Sequence, residues 1–258
     1  MTPILFSTEE IARFLIVLFR ISGIMVLAPF FSSQSIPVYV RIAFTVTASF
    51  VLAPSLPLKA VPADLNLSNI AALIPSEVLF GVLLGFAAMC IFAGFQFAGS
   101  VISFQLGLSY ANVIDPQTEV DSSVFSFLQN YLALLFFLLV NGHHWFLLAV
   151  NDSFASLPVG GGHIQGPLIQ YLIRLSAELL VIGLRIAGPV LAVSVVTDIV
   201  LGVVGRAAPQ INILIVGMPL KLLVGFGGLS LSFYFLPRYL EEVYSMLYRT
   251  LFSLVHTI

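Results

Sequence analysis

Val196–Lys221 reads VTDIVLGVVGRAAPQINILIVGMPLK, an apolar stretch that carries Asp198, Arg206 and Lys221. An ionisable side chain at the centre of a lipid-bathed helix costs roughly 2.5–3.5 kcal/mol on insertion scales. Three of them in one stretch require partners. Pro209 follows a natural break at Gly205–Ala208, so the stretch is expected to fold as a helical hairpin turning near residue 209. Arg206, Pro209, Gln210 and Asn212 are the expected turn residues. Asp198 lies 11 residues before Pro209 and Lys221 lies 12 after it. In an antiparallel hairpin both sit about 17 Å from the turn, at about 1.5 Å of rise per residue. The spacing predicts an ion pair inside the hairpin.

The 258 residues are 59% apolar and 9% charged, with a mean hydropathy of +1.08. Soluble domains carry about 25% charged residues. The chain therefore reads as an integral membrane protein, or as one that buries nearly all of its surface against other subunits. A net charge of −2 leaves no electrostatic footprint for nucleic acid. The single cysteine, Cys90, excludes an intramolecular disulfide and reads as inert filler in an apolar run. Met1–Phe6 has no basic residue and is followed by Glu9 and Glu10, which does not read as a secretory signal. The first hydrophobic segment is expected to stay in the mature protein.

The pattern predicts an all-α protein of membrane-associated hairpins with about six hydrophobic segments. Ile11–Phe31 is interrupted by Arg13 and Arg20, and Val38–Leu56 has Arg41 near its start. A Pro-rich loop follows, and Ser68 or Asn69 is the expected cap of the next helix. Val78–Ile114 then has no charge for 37 residues. As one helix it would be about 55 Å long, against a hydrocarbon core of about 30 Å, so it is expected to break, tilt or leave the membrane. Gly81 with Gly85, and Gly94 with Ala98, make small faces suited to close helix contact. Leu106–Thr118, LGLSYANVIDPQT, holds Asn112, Asp115 and Pro116 and is expected to be a loop or re-entrant segment at membrane depth. Val124–Val140 is a further helix, followed by an interfacial cluster His143, His144 and Trp145 and a loop over Asn151–Gly166. A helix of 39 residues over 167–205 is again too long for one crossing. The last helix is expected to kink at Pro237 and to continue as a more polar, amphipathic tail. No internal repeat is evident, and the few, evenly placed basic residues do not set an orientation.

Several residues compete for a chemical role. Glu178 and Arg185 are seven apart, on roughly one helix face about 10 Å apart in rise. They fit an ion path or, better, a packing contact, because arginine does not release its proton. Glu77 and Asp198 are the acids able to relay one. His143 and His144 are adjacent, diverge by about 100° on a helix and do not face one metal. Ser109 in GLSYA lacks the paired base an intramembrane protease needs. No Gly-x-x-x-x-Gly-Lys phosphate loop is present. The tip of Leu106–Thr118 offers Tyr110, Val113 and Ile114, bulky groups suited either to blocking a pore or to plain helix packing.

Several motifs coincide: RIAF at Arg41–Phe44, APSLP at Ala53–Pro57, LGF at Leu84–Phe86, FQLGLSYANVIDPQT, NGHHW at Asn141–Trp145, LPVG, and RAAPQINILIVGMPLKLLVG. Together they resemble the FliR family, the membrane subunit of the flagellar type III protein export gate, over nearly the whole chain. GPVLAVSVVTDIV through RAAPQINILIVGMPLK is also similar to the two-helix companion FliQ. The resemblance implies a FliP-like part over 1–166, with a plug loop at about 106–118, fused to a FliQ-like hairpin and amphipathic tail over 167–258. It implies that Leu106, Gly107, Tyr110, Val113, Ile114, Asp115 and Pro116 help close a central channel. Relatives often carry phenylalanine at the positions of Tyr110 and Val113, and glycine at Gln117. The implied partners are FliP-type, FliQ-type, FlhB-type and FlhA-type export proteins, membrane lipids, and unfolded rod, hook and filament proteins in transit. The implied place is the bacterial cytoplasmic membrane at the flagellar basal body. No cofactor and no enzymatic activity are expected. The rival readings are a secondary transporter or small-ion channel, a purely structural subunit, or the homologous subunit of a virulence injectisome.

Overall fold

The computed structural model describes residues 7–32, 36–55, 67–108, 124–156, 159, 166–210 and 212–257. Every regular element among them is helical. The first helix, α1 (Thr8–Leu27), starts on a capping box: the Ser7 hydroxyl accepts from the Glu10 amide at 3.2 Å, and the Ser7 amide donates to Glu10 Oε2 at 2.8 Å. A short α2 (Pro29–Ser32) leads to α3 (Val38–Leu52) and a 3-10 turn at Ala53–Ser55. The long helix α4 (Leu67–Gln105), then α5 (Val124–Leu139), α6 (Gly142–Ser156), α7 (Gly166–Ala207) and α8 (Ile213–Thr257) complete the described chain.

The charge-free run Val78–Ile114 is not one helix: α4 ends at Gln105 and Leu106–Leu108 form a turn. The helix α4 itself is one element of 39 residues, about 58 Å long, with Pro75 in its third turn. It begins at Leu67, so Ser68 and Asn69 lie within its first turn and not at the cap. His143, His144 and Trp145 do not stand in a connection: they open α6, which runs to Ser156 through part of the expected loop. Asn141, with a positive φ of 56°, sits at a 64° bend between α5 and α6. The last helix stays helical past Pro219 and Pro237 to Thr257, so the tail is a continuation of α8.

Not every hydrophobic segment is long and apolar enough to be a span. Among the described residues, three helices are long and apolar enough to cross a membrane, or four if the bent α5–α6 pair is one span. The reason is physical in each remaining case. The helix α1 carries Glu9, Glu10, Arg13 and Arg20 within 20 residues. The helix α3 has 15 residues, about 22 Å against the roughly 30 Å of a hydrocarbon core.

The chain divides into two compact units that interleave in sequence: residues 1–90, 137–175 and 245–258 in the first, and 91–136 and 176–244 in the second. Each therefore draws on both sides of residue 166.

In the first unit, α1 and α4 cross at backbone contact. A Cβ on Gly81 would overlap the Arg20 carbonyl oxygen and stand 2.9 Å from the Gly23 Cα. Gly85 faces Leu27 and the Ile24 carbonyl in the same way. This close approach carries Arg20 of α1 to Glu77 of α4. Their side chains are 0% and 1% exposed, with Arg20 Nη2 2.6 Å and Nε 2.7 Å from Glu77 Oε2. Arg20 Nη1 also donates to the Ser153 hydroxyl of α6 at 2.6 Å, and that hydroxyl donates in turn to the Val150 carbonyl. The guanidinium stacks 3.8 Å from the Phe154 ring centroid and 5.4 Å from that of Phe80.

In the second unit, Gly94 of α4 packs on Ile182 and the Leu179 carbonyl of α7. Tyr244 of α8 packs against both Phe92 and Phe95, with ring centroids 6.5 and 6.4 Å away. Its buried hydroxyl donates to the Ala133 carbonyl of α5. Ile102, Leu106, Phe125, Ala187, Val190 and Leu229 form a continuous apolar cluster.

Two predictions follow from the first unit. Gly81→Ala places a methyl on backbone that cannot rotate away, and should cost about 1–3 kcal/mol, read as a lower melting temperature of the detergent-solubilised chain. Arg20→Met or Glu77→Met alone should cost about 3–5 kcal/mol by stranding a buried charge, with the double substitution recovering most of it. Equal melting of single and double variants would refute the coupling.

Candidate functional site

The turn between α7 and α8 is built from backbone capping. The Ala208 amide donates to the Val204 carbonyl at 2.8 Å, closing α7. Pro209 and Gln210 form the turn. The Asn212 carbonyl then accepts from the Ile215 and Val216 amides at 3.1 and 3.2 Å, which starts α8. Arg206 stands in the last turn of α7, where the helix dipole favours a cation.

Away from the turn, Lys221 Nζ of α8 lies 2.5 Å from Asp198 Oδ1 of α7. The second oxygen of Asp198 accepts from Gln105 Nε2, the last residue of α4, at 3.3 Å. One carboxylate thus joins three helices. The pair is not buried within the single chain: the Lys221 and Asp198 side chains are 25% and 43% exposed. Glu178 and Arg185 are not brought together. Among the described residues no ion pair joins them, Arg185 is exposed and Glu178 is half-buried. Arg185 hydrogen-bonds Tyr239 of α8 instead, with Glu178 and Glu242 nearby.

Leu106 and Gly107 follow α4 directly. The Gly107 amide donates to the Phe104 carbonyl and the Leu108 amide to the Ser103 carbonyl, both at 3.1 Å, while Gly107 takes φ 81°. This is a Schellman cap, which favours glycine at the left-handed position. Leu106 is 1% exposed and belongs to the apolar cluster of the second unit. Ser109, Tyr110, Val113, Ile114, Asp115 and Pro116 lie outside the described residues.

The acid Glu77 is engaged by Arg20 in the first unit. The His143 and His144 rings, expected to diverge, lie with centroids 4.3 Å apart. Among the described residues no three His, Cys, Asp or Glu side chains cluster as metal ligands do.

Sequence reasoning missed Gln105, Ser153 and Tyr244 as polar joints. Gln105 left a signal, a lone amide closing an apolar helix one residue before a turn. Ser153 and Tyr244 left none, since their partners are far away in sequence.

Residues 11–247 match the family model described as bacterial export proteins, family 1. The flagellar biosynthetic protein FliR of Escherichia coli strain K12 is 31% identical over 179 residues, 69% of this chain and 69% of the relative. That of Bacillus subtilis strain 168 is 36% identical over 182 residues, 69% and 70% of the two chains. That of Pectobacterium carotovorum is 33% identical over 173 residues, 67% and 66%. With a helical chain carrying several apolar, membrane-length helices and a family match running nearly from end to end, the protein belongs to the FliR family of bacterial export proteins.

Proposed function

We propose that the chain is a non-enzymatic core subunit of the flagellar type III export gate in the bacterial cytoplasmic membrane. It would help form, and close, the channel through which unfolded rod, hook and filament proteins leave the cell. The family match over residues 11–247 carries this reading. The bare surface of the hairpin supports an assembled state. Val195, Ile199 and Val203 of α7, with Ile215 and Leu223 of α8, are 50–73% exposed in the single chain. They stand within six residues of Asp198 or Lys221 on the same two helices, and apolar side chains on helices that share a half-exposed ion pair suit protein neighbours that shelter both.

In this reading the 1–166 part is FliP-like and the 167–258 part is a FliQ-like hairpin, packed among FliP-type and FliQ-type subunits and served by FlhB-type and FlhA-type proteins. The physical work has three parts. Small residues let helices approach closely. Ion pairs fix the register of the hairpin. The segment holding Tyr110, Val113, Ile114, Asp115 and Pro116 closes the bore until substrate displaces it. Energy then comes from partners and the proton-motive force, with no nucleotide bound by this chain.

Cysteines placed by Tyr110→Cys or Val113→Cys should cross-link to an exported protein arrested in transit. Capture separates a gate from a scaffold, and silence at both positions with export intact would favour the scaffold. Deleting Ser109–Gln117 should raise leakage of small molecules through the assembled complex, measured as dye or ion flux across the membrane. Unchanged tightness would count against a closing role.

A further inference from the structure

We infer that Gln105 and Leu106 are positioning residues, anchoring the exit from α4 to the α7–α8 hairpin at two points, one polar and one steric. The inference deepens the gate reading and rests on it only for its functional consequence. All the residues concerned belong to the second compact unit.

The polar point is the carboxylate of Asp198. Its two oxygens are divided, one 2.5 Å from Lys221 Nζ and the other 3.3 Å from Gln105 Nε2. The ion pair fixes Asp198 on the hairpin, and the amide then ties the last residue of α4 to that fixed group.

The steric point lies one residue further on. Leu106 inserts where Gly225 of α8 has no side chain. A Cβ at 225 would overlap a Leu106 Cδ and stand 3.2 Å from its Cγ. Leu106 cannot turn aside freely, because it is 1% exposed and belongs to the buried cluster with Ile102, Phe125, Ala187, Val190 and Leu229. Gly107 then reverses the chain through its positive φ. The Schellman bonds to Phe104 and Ser103 transmit the fixed position to Leu108. Where the chain leaves α4 is thus dictated by α7 and α8. A shift of the hairpin moves the root of the following segment with it.

The test uses the full chain in cell membranes with a thiol at the exit, Leu108→Cys in a Cys90→Ala background. Leu108 is 40% exposed, so a small maleimide reads how firmly the root is held. Gly225→Ala and Leu106→Ala should each raise the labelling rate by about threefold or more, and the double variant should fall well short of the product of the two. Gln105→Leu and Asp198→Leu should obey the same rule. Such non-additivity marks contact, whereas a merely weakened unit would show multiplied effects. Multiplied effects, or parental labelling in Gly225→Ala, would overturn the anchor. Leakage separates the two ideas. If deletion of Ser109–Gln117 leaks and Gly225→Ala also leaks, both stand. If the deletion leaves the membrane tight, the closing role fails, and labelling alone decides the anchor.

Discussion

A guanidinium buried to 0% exposure can exist only if its environment replaces water on every side. Arg20 meets that condition with the Glu77 carboxylate, the Ser153 hydroxyl and the faces of two phenylalanines. Arginine suits this place because its charge is delocalised over a plane, is weakly hydrated and presents several donors at once. Two helices, α4 and α6, supply the partners for a charge carried on α1, so the charge also sets the mutual register of the three. The small residues at the α1–α4 crossing make the arrangement possible. Without the missing side chains at Gly23 and Gly81, the backbones would stand further apart and the carboxylate would fall short of the guanidinium. Packing and charge are thus one constraint here: shape sets the distance, and the ion pair sets which residues meet.

The hairpin was legible in the sequence because its information is local. Pro209 and the spacing of Asp198 and Lys221 lie within one stretch, and antiparallel helices turn equal separations into equal depth. The Arg20–Glu77 pair spans 57 residues, and no periodicity connects positions that far apart. The only hint was the opposite charge of Arg20 and Glu77, each set among mostly apolar residues. The helix α6 was missed for a different reason. Its Gly-His-His start and its Asn151-Asp152-Ser153 run resemble a polar connection, yet Ser153 is buried and engages Arg20. The helix α4 ends at Gln105, inside the run Val78–Ile114 whose length alone calls for a break, a tilt or an exit from the membrane. Within this chain 67% of its most apolar stretch is buried, against 33% for α7 and 28% for α8. A helix sheltered mainly by its own chain is released from the thickness of the bilayer. Of the residues expected to close a channel, Tyr110, Val113, Ile114, Asp115 and Pro116 lie outside the described residues.

Those unequal burials also divide the labour among the helices. The long helix α4 contributes core to both compact units, through Cys90 to the first and from Ile91 to the second. Its glycines are spent on neighbours from this same chain: Gly81 and Gly85 on α1, Gly94 on α7. The helices α7 and α8 have the opposite character. Their joined face is occupied by the chain itself, with Gly228 against Val190 and Leu229 in the apolar cluster, while much of the remaining surface is bulky, branched and bare. Such surface is stable only against lipid or other protein. The half-exposed ion pair on the same helices tips the balance towards protein, because a paired charge facing acyl chains retains a desolvation cost that fitted polar neighbours would remove.

The exit from α4 shows how a helix end becomes a mechanical feature. A Schellman cap by itself specifies only the direction in which the chain turns, since its bonds run from residues 107 and 108 back to 104 and 103. Direction in space also requires that the last turn of the helix be fixed about its own axis. Gln105 and Leu106, adjacent on the helix, point about 100° apart, and each meets a different element: Asp198 on α7 and Gly225 on α8. Two contacts at distinct angles prevent rotation where one would act as a pivot. The two contacts differ in kind. Asp198 is 43% exposed in the single chain and Leu106 is 1% exposed, so the steric contact is the one that the chain alone seals from its surroundings.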